Sequence, residues 1–338
     1  MSRIANIVGT IIEEHEFSMT ASPPSHACPI CGAAAGHEYA RRIFAWGRFE
    51  ERYSFLRCDR CHSVFCADLP DAAYLERFYE EKASIKLAED RRPPTIYKEI
   101  LRIIDALHPG HSDILDIGCG DGAFLAMSRD AGFTGFGIDS AEKNVRACKA
   151  RGIDAMCESF PTEKLAGRTF GVIVAIQVLE HLSDPKPFFA SCAEILRPGG
   201  VLILHTPNAR CFSFRIMRGH HRYFIPPEHL CLWSARGFDE AARKASLEIV
   251  SIQALEGDHQ FRELLAWFLK AKFLHAARWN MSGWKENPRL DSKQSARRSP
   301  LASAFNRCFE QLGGNQILCV LKRNSASVNQ PHFAATHH

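Results

Sequence analysis

The chain has 338 residues, enough for one full domain plus an appendage and for a sizeable core. Lysine and arginine number 42 against 38 acidic residues, and this formal net charge of +4 is too mild to argue for a nucleic-acid partner. No stretch offers about 18 uninterrupted apolar residues, so no transmembrane helix is expected.

The 13 cysteines are odd in number, and Cys119, Cys148, Cys192 and Cys319 sit in apolar segments. That usage fits a reducing, cytoplasmic compartment rather than a disulfide framework. Residues 1–22 carry Glu13, Glu14 and Glu16 close together and lack the basic-then-apolar design of a secretory signal. They are expected to be disordered or loosely attached.

Residues 23–70 hold two Cys-x-x-Cys knuckles, Cys28-Pro29-Ile30-Cys31 and Cys58-Asp59-Arg60-Cys61, separated by an arm able to form a hairpin. Each knuckle places two thiolates on one side of a tight turn, and four thiolates complete a tetrahedral zinc shell. A closed four-cysteine shell has no open position for water, so the zinc is expected to be structural. The nearby His62 and Cys66 are read as core or surface residues rather than further ligands. Residues 71–94 read as a helical linker, with an amphipathic helix over 71–81 and a proline-bearing charged stretch over 89–94.

A helix over 96–107 leads into the most informative segment, Ile114-Leu115-Asp116-Ile117-Gly118-Cys119-Gly120-Asp121-Gly122. It reads as a buried strand entering a glycine-rich turn with a helix behind it. Gly118, Gly120 and Gly122 let the backbone fold tightly against a ligand. A second strand, Gly135 to Ile138, ends in Asp139, about 20 residues on, where a ribose needs a carboxylate. A dinucleotide fits the glycines loosely, so a nicotinamide oxidoreductase is the rival. Asp116 and Asp121 flank the turn and would repel a diphosphate, whereas they suit the ammonium and sulfonium of S-adenosylmethionine.

Further strands are predicted near 153–157, 171–176 and 200–206, with helices between them. Asp184-Pro185 should open the helix that ends at Leu196, and Pro198-Gly199-Gly200 should then turn the chain into the fifth strand. Late strands over 247–255 and 316–322 are expected to close one sheet edge, separated by an insertion over 257–313. Within it, 261–279 reads either as a helical cap over the cleft or as an interfacial helix in peripheral contact with a membrane. Residues 325–338 read as a disordered tail.

Two segments reach the carboxyl edge of the predicted sheet. Glu180-His181 follows the fourth strand, and His181 is a candidate base for an acceptor hydroxyl, though it also reads as a local cap. The loop from Thr206 to Leu230 contains Arg210, Arg215, Arg218, Arg222 and the fallback base His229. So basic a loop fits an anionic acceptor and equally fits a solvated surface.

These motifs, over roughly 95–255, resemble the class I S-adenosylmethionine-dependent methyltransferases. The resemblance rests on Leu115 to Gly122, Gly137-Ile138-Asp139, Phe170 to His181 and Leu196-Arg197-Pro198-Gly199-Gly200. It implies an α/β fold, a doubly wound, seven-stranded, mostly parallel Rossmann-like sheet over 95–324, preceded here by a small zinc ribbon. It implies also that Asp116 and the glycines hold the methionine end, that Asp139 holds the ribose, and that Glu158 or Ser159 touches the adenine. One departure is Gly171, where the fourth strand of such enzymes begins Phe-Asp. The closer likeness is to the ubiquinone-biosynthesis type of O-methyltransferase, which reads Glu-Val-Leu-Glu-His where this chain has Gln177 to His181. Gln177 replaces the first of two glutamates that, with the histidine, serve a divalent metal in that subgroup, and it is kept as a cofactor contact. The ribbon-plus-domain layout resembles a bacterial subgroup that includes sugar C-methyltransferases, whose long additional C-terminal domain has no counterpart here. Methyl transfer to oxygen of a small-molecule or glycan-type acceptor is therefore the expected activity. A cofactor-binding protein with a dead site is the non-enzymatic alternative.

Overall fold

The computed structural model describes residues 27–34, 36–46, 49–69, 71, 73–75, 77–78, 95–107, 113–217, 221, 223–255 and 314–324. The expectations for 1–22, 257–313 and 325–338, and those for most of 79–94, lie outside these residues.

The described residues form two sheets. The larger has the order β10-β11-β8-β7-β4-β5-β6. Its strands are β4 (Asp113–Ile117), β5 (Thr134–Asp139), β6 (Ala155–Cys157), β7 (Phe170–Ile176), β8 (Leu196–Pro207), β10 (Leu247–Leu255) and β11 (Gln316–Arg323). β4, β5, β6, β7 and β8 pair in parallel, whereas β11 runs antiparallel to both β8 and β10. Helices α1 (Thr95–Leu107), α2 (Ala123–Asp130), α3 (Glu142–Ala150), α4 (Lys186–Ile195) and α6 (Ala235–Lys244) accompany these strands, and the short α5 (Phe212–Met217) follows β8 in the chain. Phe170 to Ala175 are all buried, as a central strand covered on both faces requires.

The smaller sheet has the order β1-β2-β3-β9. β1 (His37–Trp46) and β2 (Phe49–Arg57) form the expected hairpin, followed by β3 (Val64–Cys66). The fourth strand, β9 (Cys231–Leu232), comes from far along the chain and pairs through Val64↔Leu232 and Phe65↔Cys231. The seam is polar as well as apolar. Ser234, the N-cap of α6, accepts from the Gly237 amide at 3.0 Å, donates to the Cys61 carbonyl, and receives Ser63 Oγ at 3.3 Å. A buried cluster containing Tyr53, Phe55, Val64, Ala209, Phe214, Phe224 and Leu232 fills the space beneath.

One boundary differs from expectation. Pro198-Gly199-Gly200 reads as the turn into the fifth strand, but β8 already begins at Leu196, opposite Phe170. Arg197 fixes this start by donating to Asp113 Oδ2 at 2.5 Å and to the Thr169 carbonyl at 3.2 Å. A Cβ at Gly200 would meet the Gly171 carbonyl oxygen at 2.8 Å, so the strands approach closely where the chain carries glycine. Asp113 Oδ1 also accepts from the Gly171 amide at 3.1 Å. At the other end of α4, Pro185 occupies the cap and Asp184 accepts from the Lys186 amide at 3.2 Å.

Candidate active site

The glycine turn lies where β4 ends. Gly118 adopts φ +72, and a Cβ there would meet Val178 Cγ2 at 2.6 Å, so a side chain is excluded by strain and by space together. The Gly118 and Cys119 amides both donate to the Ile138 carbonyl, at 2.8 and 3.0 Å, which holds the turn against the end of β5. Asp139 then receives three donors: the Gly120 amide at 2.9 Å on Oδ2, and the Ala141 amide at 2.9 Å and Asn144 Nδ2 at 3.0 Å on Oδ1. Each oxygen of an ionised carboxylate accepts about two hydrogen bonds, so this cradle fills Oδ1 and leaves one acceptor site on Oδ2.

Asp116 is buried, and burial first, then the neighbouring Asp139, push its carboxyl well above the ordinary range. A cationic ligand beside it would draw that value back down, because an opposite charge favours the ionised form. Asp121 pairs with Arg151 and, at 3.2 Å, accepts from the Ala123 amide.

Glu158 follows β6, and its amide donates to the Asp139 carbonyl at 3.1 Å, which puts it beside Asp139. Its carboxylate pairs with Lys164. Gln177 has φ +56 at the end of β7; its Nε2 lies 3.2 Å from His205 Nδ1 and donates to Gln316 Oε1 at 3.0 Å. Its amide group is thus engaged toward β8 and β11.

A second cluster stands beyond β7. Glu180, His181 and His229 each offer one ligand atom, and these atoms lie within 4.8 Å of one another. His181 Nδ1 lies 2.8 Å from the Glu228 carbonyl, and His229 Nδ1 lies 3.0 Å from the Tyr223 carbonyl. A carbonyl only accepts, so both Nδ1 atoms carry protons and, in the neutral rings, the lone pair is on Nε2. The rings stand edge to face at 5.2 Å. Glu180 is buried; its Oε2 accepts from Thr206 Oγ1 at 2.8 Å, while Oε1 has no partner among the described residues. Burial lifts its carboxyl to about 7.

The four knuckle cysteines meet as the spacing predicted. Cys28, Cys31, Cys58 and Cys61 are buried and their sulfurs lie within 4.8 Å of one another. Cys28 Sγ to Cys61 Sγ is 3.7 Å, and Cys31 Sγ to Cys58 Sγ is 3.5 Å. Cys66 is buried in the core cluster instead, and His62 contacts Arg236 at 2.9 Å.

Three supporting residues escaped the sequence reading. Asn144 holds Asp139, and its signal was a polar residue in the first turn of a helix just past the acid. Thr206 holds Glu180 across two strands, which no local pattern reveals. Cys148 Sγ lies 3.2 Å from the Gly120 carbonyl and 3.8 Å from Cys119 Sγ, a contact made only when α3 packs on the turn.

With this geometry in place, a family model described as a methyltransferase domain matches residues 87–252. A ubiquinone biosynthesis O-methyltransferase of Parvibaculum lavamentivorans is 33% identical over 129 residues, covering 36% of this chain and 49% of that protein. One from Bordetella avium is 30% identical over 164 residues, covering 42% of this chain and 65% of its own length. The chain thus spans between about half and two thirds of these relatives. Among solved structures, a SAM-dependent methyltransferase from Archaeoglobus fulgidus aligns with a TM-score of 0.46 at 18% identity, over 75% of this chain and 100% of that one. Residues 87–252, just under half of the chain, are thus similar to a methyltransferase domain of the S-adenosylmethionine-dependent kind.

Proposed function

We propose that the protein transfers the methyl group of S-adenosylmethionine to an oxygen of a small-molecule acceptor in a reducing, cytoplasmic compartment. The observation that carries this reading is the paired Asp116 and Asp139 around the Gly118–Gly122 turn, one carboxyl raised by burial and the other cradled by backbone donors. In it, the turn and Asp116 take the methionine end, Asp139 the ribose hydroxyls and Glu158 the adenine amine, with Gln177 bordering the pocket. The similarity to ubiquinone biosynthesis O-methyltransferases supports oxygen as the atom methylated. A glycan-type or anionic acceptor is the finer form of the same proposal, supported by the arginines of the loop after β8.

Transfer from a sulfonium is an in-line displacement: the acceptor oxygen forms the new carbon–oxygen bond as the carbon–sulfur bond breaks. The protein must align the two, exclude water and remove one proton. His181 suits the last task, because its Nδ1–H bond to Glu228 fixes the tautomer whose Nε2 accepts a proton. His229 is the second candidate for the same role. Glu180 Oε1 favours a further reading, in which a divalent cation held by Glu180, His181 and His229 would supply Lewis acidity to the acceptor oxygen.

The cysteine cage is proposed to hold a structural zinc. Tetrahedral coordination with Zn–S near 2.3 Å sets sulfur–sulfur edges of about 3.8 Å. The two measured edges of 3.7 and 3.5 Å fit that size.

Calorimetry on the full chain tests the cofactor reading. S-adenosylmethionine and S-adenosylhomocysteine should bind while NAD gives no heat. Saturable NAD binding with silence from both adenosyl ligands would replace the proposal with the nicotinamide oxidoreductase. Binding without turnover over a broad acceptor panel would favour the non-catalytic alternative.

A further inference from the structure

The seam between the two sheets gathers cations without gathering their counter-charges. Arg57 ends β2, and directly opposite it stands Val64, which in turn pairs with Leu232. Residues opposite one another in a ladder share a face, and Val64 and Leu232 belong to the buried cluster that also contains Ala209. Arg57 therefore emerges on the face turned toward the loop leaving β8. That loop is pinned to the same place, since the Ala209 amide donates to the Trp233 carbonyl at 2.7 Å, and Arg210 follows immediately. Arg236 lies in the first turn of α6, whose N-cap Ser234 bonds the Cys61 carbonyl, and its Nη1 is 2.9 Å from His62 Nε2.

Elsewhere arginines are matched to acids: Arg60 and Arg243 to Glu240, Arg151 to Asp121, Arg197 to Asp113. At the seam, none of Arg57, Arg210 and Arg236 has a carboxylate partner among the described residues. Their closeness is felt electrostatically. The Arg210 guanidinium is held below its ordinary value by burial and by repulsion from Arg57, Arg215 and Arg236. The acid nearest in sequence, Asp59, is taken by His37 at 3.0 Å.

We propose that Arg57, Arg210 and Arg236, with His62 beside them, form a binding subsite for a phosphoryl or diphosphoryl group carried by a soluble small molecule. Charge selects this class. A single carboxylate would leave most of the cluster uncompensated, whereas a phosphate monoester or diphosphate brings about two negative charges or more and several acceptor oxygens. Guanidinium forks match those oxygens in bidentate fashion. The ribbon then contributes a ligand-binding arginine and is more than a stabilising appendage. The proposal deepens the acceptor class named above and rests on that reading for its purpose, but its test needs no methyl transfer.

Titration calorimetry of the full chain with inorganic pyrophosphate, at near-physiological salt, should give saturable binding, with acetate weaker by about tenfold or more. The double substitution Arg57→Gln with Arg210→Gln should weaken pyrophosphate binding by at least about tenfold. Arg129→Gln, distant from the seam, should leave it unchanged, and S-adenosylhomocysteine affinity should stay the same in all three proteins. Absence of saturable pyrophosphate binding in the unaltered chain would overturn the subsite, as would equal binding in the double variant. Sedimentation with phosphatidylglycerol vesicles in the absence of pyrophosphate binding would overturn it in favour of a membrane surface. Loss of adenosyl binding alone would strike the cofactor reading and leave the subsite standing.

Discussion

The seven-stranded sheet covers apolar strands on both faces, whereas the four-stranded sheet closes over a cage of four thiols and borrows its last strand from the other region. In the first, cohesion comes from buried area spread over many side chains: Val172, Ile173, Val174 and Ala175 are all wholly inaccessible. Substitution of one such residue costs a few kcal/mol and is shared among neighbours. In the second, a smaller buried cluster is joined to four thiols, and the proposed zinc would concentrate much of the cohesion in a few atoms. Distributed and concentrated stabilisation should therefore fail in different ways, and four measurements probe that contrast.

The largest effect is expected at the cage. Cys58→Ser should abolish the content of about one zinc per chain and, because structural zinc contributes about 10–16 kcal/mol in small zinc domains, should unfold the ribbon. The damage should spread to the His229 loop through β9, so proteolysis and metal analysis should report both losses together. Finding no zinc in unaltered protein purified without chelator would remove the basis of the comparison.

Next, His181→Ala should lower kcat by about 10²–10⁴-fold with S-adenosylmethionine affinity nearly unchanged, and the loss should shrink as pH rises and hydroxide substitutes for the base. Normal turnover in that variant with a dead His229→Ala protein would move the base to the loop. Two active variants would retire the general-base proposal.

A smaller effect concerns the orphaned carboxyl. Burial raises Glu180 from its ordinary 4.5 to about 7, so between these values the folded state binds more protons than the unfolded state. Stability contributed by this group is thus fully present below about pH 4.5 and is lost as pH rises through 7, by roughly 3 kcal/mol. Without added divalent cation, Glu180→Gln should raise the unfolding temperature at pH 8 and have little effect at pH 4.5. An unaltered pH profile would mean that a bound cation or an unseen partner already compensates the charge.

The mildest effect is expected at Asp139. Asp139→Ala should weaken both adenosyl ligands by about 1.5–3 kcal/mol, since the ribose loses a charged acceptor. The same change frees the Gly120 and Ala141 amides. Asp139→Asn, which retains one acceptor oxygen, should therefore fall between the alanine variant and the unaltered chain. Equal affinity in all three proteins would remove the ribose assignment.

The legible parts of the molecule were those in which chemistry is local. Two Cys-x-x-Cys turns announce their cage because each pair is set by its own turn, and the strand–glycine turn–acid order announces the contact of the turn with Asp139 because those residues lie on one short backbone path. Several features depend on distant partners and leave no local trace. The early start of β8 is fixed by Arg197 reaching Asp113, which overrides the turn that Pro198-Gly199-Gly200 suggests. The ion pair of Asp121 with Arg151, from the end of the next helix, likewise depends on a partner thirty residues away. β9 is only two residues long, too short for any periodicity, and exists because β3 offers an unpaired edge.

That borrowed strand also orders events in time. The cage residues leave the ribosome early, but the edge of their sheet stays bare until Cys231 and Leu232 have been made. At ordinary synthesis rates of about 5–20 residues per second, that interval is on the order of ten seconds or more. Throughout it, β3 presents open backbone groups to any other nascent chain, and capture of the proposed zinc would steady the segment. Availability of zinc during synthesis, rather than in the finished protein, should consequently govern how much of the chain reaches its folded state.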